Sequence, residues 1–195
     1  LRNDSSLVDK RGRSWKLDGV KMSYGVELRP IAPWDLPALR RWRNQDEVRM
    51  QMVSQTRISP RQQRQWFTVT RERRDQQHWV LWCKGVRAGY VNLKGECQGE
   101  LQGQAIADAG LYLGSSTVRH PMLAVAAALS QLDQGFNELH IGCIRTLVRE
   151  NNRSALRLNE QLGYRQIGQE NGFFALELLP ADYYAARERL RRFFR

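Results

Sequence analysis

Between residues 105 and 164 the pattern strand, loop, helix occurs twice in succession, and this constrains the fold more than any other feature of the chain. Ala105–Leu113 alternates as a strand. From Pro121 to about Phe136, Met122, Leu123, Val125, Ala126, Leu129 and Leu132 form one apolar stripe of a long helix. Pro121 suits its first position, where no N–H is needed. A second strand, Leu139–Val148, leads to a helix over Asn152–Leu162, with Gly163 as the glycine that stops it. A helix N-terminus after a strand is a natural anion site, because its free N–H groups and dipole end face the ligand.

The remaining elements fit around this unit. Val26–Ile31 reads as a short strand, and Pro33-Trp34-Asp35 opens a helix with Asp35 as N-cap, Pro37 in the first turn and Leu36, Leu39 and Trp42 facing inward. A short helix is expected over Asp46–Met52. Another starts at Ser59-Pro60, carries Trp66 and Phe67 inward and ends near Arg74. His78–Cys83 and Arg87–Lys94 read as a hairpin turning at Lys84-Gly85, and Glu96–Gln104 as a loop. Tyr164–Ile167 and Phe173–Leu179 are the last strands, before a helix that starts at Pro180. The class is α+β: a mixed, largely antiparallel twisted sheet flanked by helices. Residues 1–24 lack periodicity and read as a flexible leader or an appended remnant; residues 25–195 read as one domain.

Composition removes several function classes. Thirty-one Lys and Arg against 20 Asp and Glu give +11, a field that gathers anions. Cys83, Cys97 and Cys143 show no metal-ligand spacing with one another or with the three histidines, so a zinc module and a secreted disulfide scaffold are disfavoured and no metal is expected. No apolar run reaches the ~20 residues of a membrane helix. A cytoplasmic protein without a membrane partner is expected. There is no GxSxG, HExxH, Walker A or GxGxxG signature.

The segment Asn152-Arg153-Ser154-Ala155-Leu156-Arg157-Leu158-Asn159-Glu160-Gln161-Leu162-Gly163-Tyr164 resembles the N-x-x-A-x-x-L-Y-E-K-L-G-F signature of the GNAT N-acetyltransferase superfamily. Arg29-Pro30, Trp42-Arg43-Asn44, Glu47-Val48-Arg49, Ile58-Ser59-Pro60 and Trp66-Phe67 resemble the first third of one branch. That branch holds amino-sugar N-acetyltransferases of the pseudaminic-acid pathway and acetyltransferases of ribosomal-protein N-termini. The likeness spans about residues 26–180.

The resemblance implies acetyl-CoA as cosubstrate and a small amine acceptor. It places Leu111, Tyr112, Leu113, Arg119, His120, Met122, Ala124, Asn152, Ala155 and Asn159 at the cofactor. In the pyrophosphate loop Arg119 and Ala124 match, whereas Met122 replaces a glycine and Pro121 lacks an N–H. Asn159 stands where many members have a proton-donating Tyr; Tyr112, Tyr164 and Tyr184 are the alternatives. Asp108 is the first candidate base and Glu96 the second. Trp42, Arg43, Asn44, Arg49, Met52 and Trp66 would form the acceptor pocket, where Arg beside Trp suits a nucleotide-linked sugar. Gln63 stands where related sugar enzymes often have His. The leading expectation is N-acetylation of a primary amine, carried by such a sugar. The rivals are a protein N-terminal acetyltransferase, a catalytically degenerate binding module and, more weakly, an RNA-associated protein resting on charge alone. The likeness also implies a homodimer joined through an edge strand near 173–179.

Overall fold

The computed structural model describes residues 6–8, 14–16, 19–114 and 122–194. Two short strands, β1 (Ser6–Val8) and β2 (Ser14–Lys16), pair with each other antiparallel. The main sheet contains β3 (Lys21–Ser23), β4 (Val26–Pro30), β5 (Gln76–Cys83), β6 (Val86–Gly95), β7 (Ile106–Leu113), β8 (Cys143–Arg149), β9 (Arg165–Glu170) and β10 (Phe173–Leu178). Their spatial order is β3-β4-β5-β6-β7-β8-β10-β9, and every neighbouring pair is antiparallel except β7–β8. The expected α+β class, with a largely antiparallel sheet flanked by helices, is what the chain forms.

Six α-helices accompany the sheet among the described residues: α1 (Leu36–Arg43), α2 (Asp46–Arg49), α3 (Pro60–Thr70), α4 (Leu123–Asp133), α5 (Arg153–Leu162) and α6 (Pro180–Leu190). Alternation along β6 assigns its two faces. Val91 and Leu93 belong to the main core with Leu28 and Leu81 of the sheet and Leu129 and Leu132 of α4, all buried. Tyr90 points to the other face, where Leu39 and Trp42 of α1 pack on Val80. Each fully buried Leu contributes roughly 1.5–3 kcal/mol relative to exposure.

Local chemistry accounts for the element boundaries. Ser59 caps α3, its Oγ accepting from Gln62 N at 3.2 Å while Gln62 Oε1 accepts from Ser59 N at 2.8 Å. Gly163 ends α5 with φ +96°. Asp35 stands at the N-cap position of α1 as expected, but its side chain does not cap the helix. A 3-10 turn at Pro33–Asp35 precedes α1, and Asp35 Oδ2 accepts from Ala32 N within that turn instead of capping α1. Its Oδ1 accepts from Arg87 Nε at 2.7 Å, which anchors α1 to β6.

Other boundaries also shift. The sheet starts at Lys21, inside the stretch read from sequence as a leader, because Lys21–Ser23 pairs with Val26–Leu28. The helix start expected at Pro121 lies outside the described residues. At its far end α4 continues as a π-helical turn over Gln134–Glu138. β10 is flanked by β8 and β9, so the edge strand on this side is β9, not the 173–179 segment that sequence reading offered for subunit pairing.

Candidate functional site

β7 and β8 run parallel only through Ile106↔Cys143, Ala107↔Ile144 and Asp108↔Arg145. Beyond that level β7 stays paired to β6 as far as Leu113, and β8 stays paired to β10 as far as Arg149. The two central strands therefore part, each held on its outer side. Gln131 of α4 bridges β6 and β7 at this level, Nε2 donating to the carbonyls of Asn92 at 2.7 Å and Gly110 at 3.0 Å.

The parting opens into a cleft of about 810 Å³. Asp108, Gly110, Leu111 and Tyr112 come from β7, and Thr146, Leu147 and Arg149 from β8. Asn152, Ala155 and Asn159 come from the start and body of α5. The opposite wall is Arg43, Met52 and Trp66, with Tyr90 and Asn92 of β6 beneath. The volume lies in the range of small-molecule sites.

Several residues selected from sequence meet in this cleft: Asp108, Leu111, Tyr112, Asn152, Ala155, Asn159, Arg43, Met52 and Trp66. Others lie elsewhere, for identifiable reasons. Trp42 is 4% exposed in the core of α1, so closely packed that a Cβ at Gly114 would fall on its ring. Asn44 is a loop clamp, its Nδ2 donating to Ile58 O and its Oδ1 accepting from Ile58 N, both at 2.8 Å. Arg49 is committed to Asp46 Oδ1 at 2.6 Å and to Gln55 O at 2.9 Å. These two side chains hold the 50–58 loop that forms the wall instead of facing the cleft. Glu96, Leu113, Met122 and Ala124 do not line the cleft, and Glu96 is 3.9 Å from Arg145 on the surface. Arg119 and His120 lie outside the described residues.

The polar groups in the cleft differ in what they can do. Desolvation raises the Asp108 pKa above the ordinary value, against the pull of Lys94 and Arg145. Asn159 spends an amide N–H on Ala155 O at 2.8 Å, one turn back in α5. Burial pushes the hydroxyls of Tyr112 and Tyr164 up, which suits them to remain protonated. Tyr184 is outside the cleft and donates to Asn137 Oδ1 at 2.9 Å. Asn152 Oδ1 caps α5 by accepting from Ala155 N at 3.2 Å. Arg43 has no carboxylate partner among the described residues; burial lowers its pKa, and Nη2 donates to Ser54 O at 2.5 Å.

Sequence reading missed Tyr90, Asn92, Gln131 and Arg149. The first two alternate with core residues on β6, a signal visible only once the two faces are assigned. The fit to an anionic thioester rests on two features: the long parted slot, and the guanidinium groups of Arg43 and Arg149, neither of which has a carboxylate partner among the described residues. No cluster that could hold a metal and no helix long and apolar enough to cross a membrane occurs among those residues.

Comparison with known proteins gives the same picture. No curated protein matches the sequence. Solved structures do match. FdhC, a nucleotide-linked sugar GNAT, superposes with a TM-score of 0.76 at 15% identity over 91% of this chain and 99% of its own. Spermidine N-acetyltransferase from Vibrio cholerae, in complex with CoA and spermine, gives 0.72 at 17% identity, covering 83% of this chain and 99% of that one. AAC(6')-Ib with acetyl-CoA gives 0.69 at 16% identity, covering 84% and 98%. These similarities establish the fold. The model of the acetyltransferase (GNAT) domain matches residues 26–165, most of the chain, and the protein belongs to that family.

Proposed function

We propose that the protein transfers an acetyl group from acetyl-CoA to a primary amine bound in the cleft. The observation that carries this reading is the parting of β7 and β8 beyond Asp108↔Arg145, which opens backbone edges and the Asn152 end of α5 onto one slot. Acetyl-CoA supplies the thioester that the amine attacks. Asp108, its ionised form disfavoured by desolvation, takes the amine proton directly or through water. Backbone N–H groups on the edge of β7 that faces the parting stabilise charge developing on the thioester oxygen. Tyr112 and Tyr164 carry titratable hydroxyls that can return a proton to the leaving thiolate, which the Asn159 amide cannot do.

A nucleotide-linked amino sugar is the acceptor class we favour. The Arg43 guanidinium, without a carboxylate partner among the described residues, suits a phosphate, and Trp66 on the same wall offers a ring face. FdhC, which shares this fold, is a nucleotide-linked sugar GNAT, and this supports the same class. The chemistry and the three free cysteines suit a reduced, cytoplasmic setting.

Calorimetric titration with acetyl-CoA, with desulfo-CoA and ATP as comparisons, tests the donor half of the reading. Micromolar binding selective for CoA over ATP supports it. Release of free thiol with a panel of amines then identifies the acceptor. No binding at millimolar acetyl-CoA removes the acetyl-transfer reading and leaves a GNAT-fold binding module.

A further inference from the structure

A half-buried chain of hydrogen bonds lies under the acceptor wall, and the acetyl-transfer mechanism does not use it. Gln76 and His78 of β5 and Tyr90 of β6 share the sheet face that carries Asn92 and Tyr112. His78 Nε2 lies 3.0 Å from Gln76 Oε1, and His78 Nδ1 lies 2.6 Å from the Tyr90 hydroxyl. A carboxamide oxygen can only accept, so Nε2 carries the imidazole proton. In a neutral ring Nδ1 is then a lone pair, and the Tyr90 O–H must donate to it.

The ring stays neutral for physical reasons. Burial pushes the His78 pKa down to about 3, Lys94 and Arg73 add to this, and Asp75 opposes it more weakly. Packing fixes the geometry. The Trp66 ring meets His78 edge-on at 5.4 Å and 90°, and Tyr112 stacks on Tyr90 at 5.0 Å and 26°. Tyr90 lines the cleft, beside Trp66 and Tyr112. Its only proton is committed inward, so what the oxygen can offer outward is lone pairs.

We propose that Tyr90 is a specificity-determining residue, whose hydroxyl oxygen accepts a hydrogen bond from an N–H or O–H group of the acceptor substrate. The proposal rests on the acetyl-transfer reading and adds to it a requirement on the substrate. The acceptor must present a donor to Tyr90; a group that only accepts meets an oxygen that cannot donate without breaking the bond to His78. A polyol or amino-sugar ring meets that requirement.

The test is steady-state kinetics with acetyl-CoA on wild type, Tyr90→Phe and His78→Gln, using spermine, paromomycin and a uridine-diphosphate amino sugar as acceptors. Tyr90→Phe keeps the stacked ring and removes the oxygen. Its expected result is a rise of about tenfold or more in acceptor KM, with acetyl-CoA KM unchanged and a modest fall in melting temperature from the lost bond to His78. An unchanged acceptor KM in an active enzyme overturns the proposal and leaves acetyl transfer standing. A wild-type enzyme that acetylates none of the amines removes the acetyl-transfer reading itself. An independent arm needs no acceptor. Nitrogen-15 NMR of the imidazole should show His78 protonated at Nε2, and protonation at Nδ1 overturns the proposal.

Discussion

Asp108 and Arg145 face each other as the last paired residues of the two parallel central strands. Arg145 is also bound to Glu177 Oε2 at 2.9 Å, so its charge is shared away from Asp108 and does not cancel the desolvation that raises the Asp108 pKa. A carboxylate at the mouth of the parting, harder to ionise than usual, is suited to take a proton from an amine.

Asp108→Asn should lower kcat/KM by about 10²-fold or more, the usual scale for loss of a general base. In wild type the rate should fall as pH drops through the raised Asp108 pKa, above the ordinary carboxylate value, and this acid limb should vanish in the variant. The stability sign is opposite. A raised folded-state pKa favours the protonated form, so the contribution is present at low pH and lost as pH rises through that pKa. At pH 7 the Asn variant should melt no lower than wild type. An unchanged pH–rate profile would reassign the base.

Asn152 has a structural role that must be separated from any role at CoA. Its Oδ1 accepts from Ala155 N at 3.2 Å and from Ser154 Oγ at 3.0 Å. Asn152→Ala should cost about 1 kcal/mol through the lost cap. Asn152→Ser restores the cap and should return the melting temperature to wild type. If the amide also contacts acetyl-CoA, the Ser variant should still bind it more weakly in calorimetry. Full recovery of affinity in the Ser variant would limit Asn152 to capping.

How far the sequence could be read depends on whether the determining interaction is local. Ser59-Pro60 with Gln62, and Leu162-Gly163, are complete signals within a few residues, and both ends form as expected. Asp35 stands at the N-cap position, but its side chain is taken by Ala32 N in the preceding turn and by Arg87, 52 positions away, and the second of these bonds has no local signal. The strand at Lys21–Ser23 is three residues long and carries too little alternation to be seen before its partner is known. At the site, the motif on α5 located Asn152, Ala155 and Asn159. Trp42, Asn44 and Arg49 had the right chemistry in the right segment, yet faced the core or the loop backbone. Tyr90 gave no local signal, since its meaning comes from His78 on the neighbouring strand.

Gly163 should be intolerant of a side chain. It holds φ +96°, and a Cβ there would stand 2.9 Å from Asp182 O at the start of α6. Gly163→Ala should cost about 2 kcal/mol, combining left-handed strain with that contact. The loss should appear as a lower melting temperature and as faster amide exchange in the last turn of α5, where Tyr164 N donates to Asn159 O at 3.0 Å. A neutral substitution would show that α6 yields readily.

Asp133, at the end of α4, ties that helix to the β3–β4 turn and to α6. It accepts from Tyr24 and from Tyr183, each at 2.7 Å, and pairs with Arg187 at 2.8 Å. Its side chain is 15% exposed. Asp133→Ala would leave the Arg187 guanidinium without its carboxylate and the Tyr24 hydroxyl without its acceptor, and should cost about 3 kcal/mol, a fall of roughly 6–12 °C in melting temperature. Asp133→Asn retains an acceptor and should lose less. The same cluster sets an alkaline limit. Burial, and then Asp133, raise the Tyr24 pKa to about 12, so the neutral hydroxyl stabilises the fold below pH 10 and that contribution is lost as pH rises through about 12. Unfolding by base should therefore steepen above pH 10 in wild type and less so in Tyr24→Phe. Identical alkaline transitions in the two proteins would show that another group sets the limit.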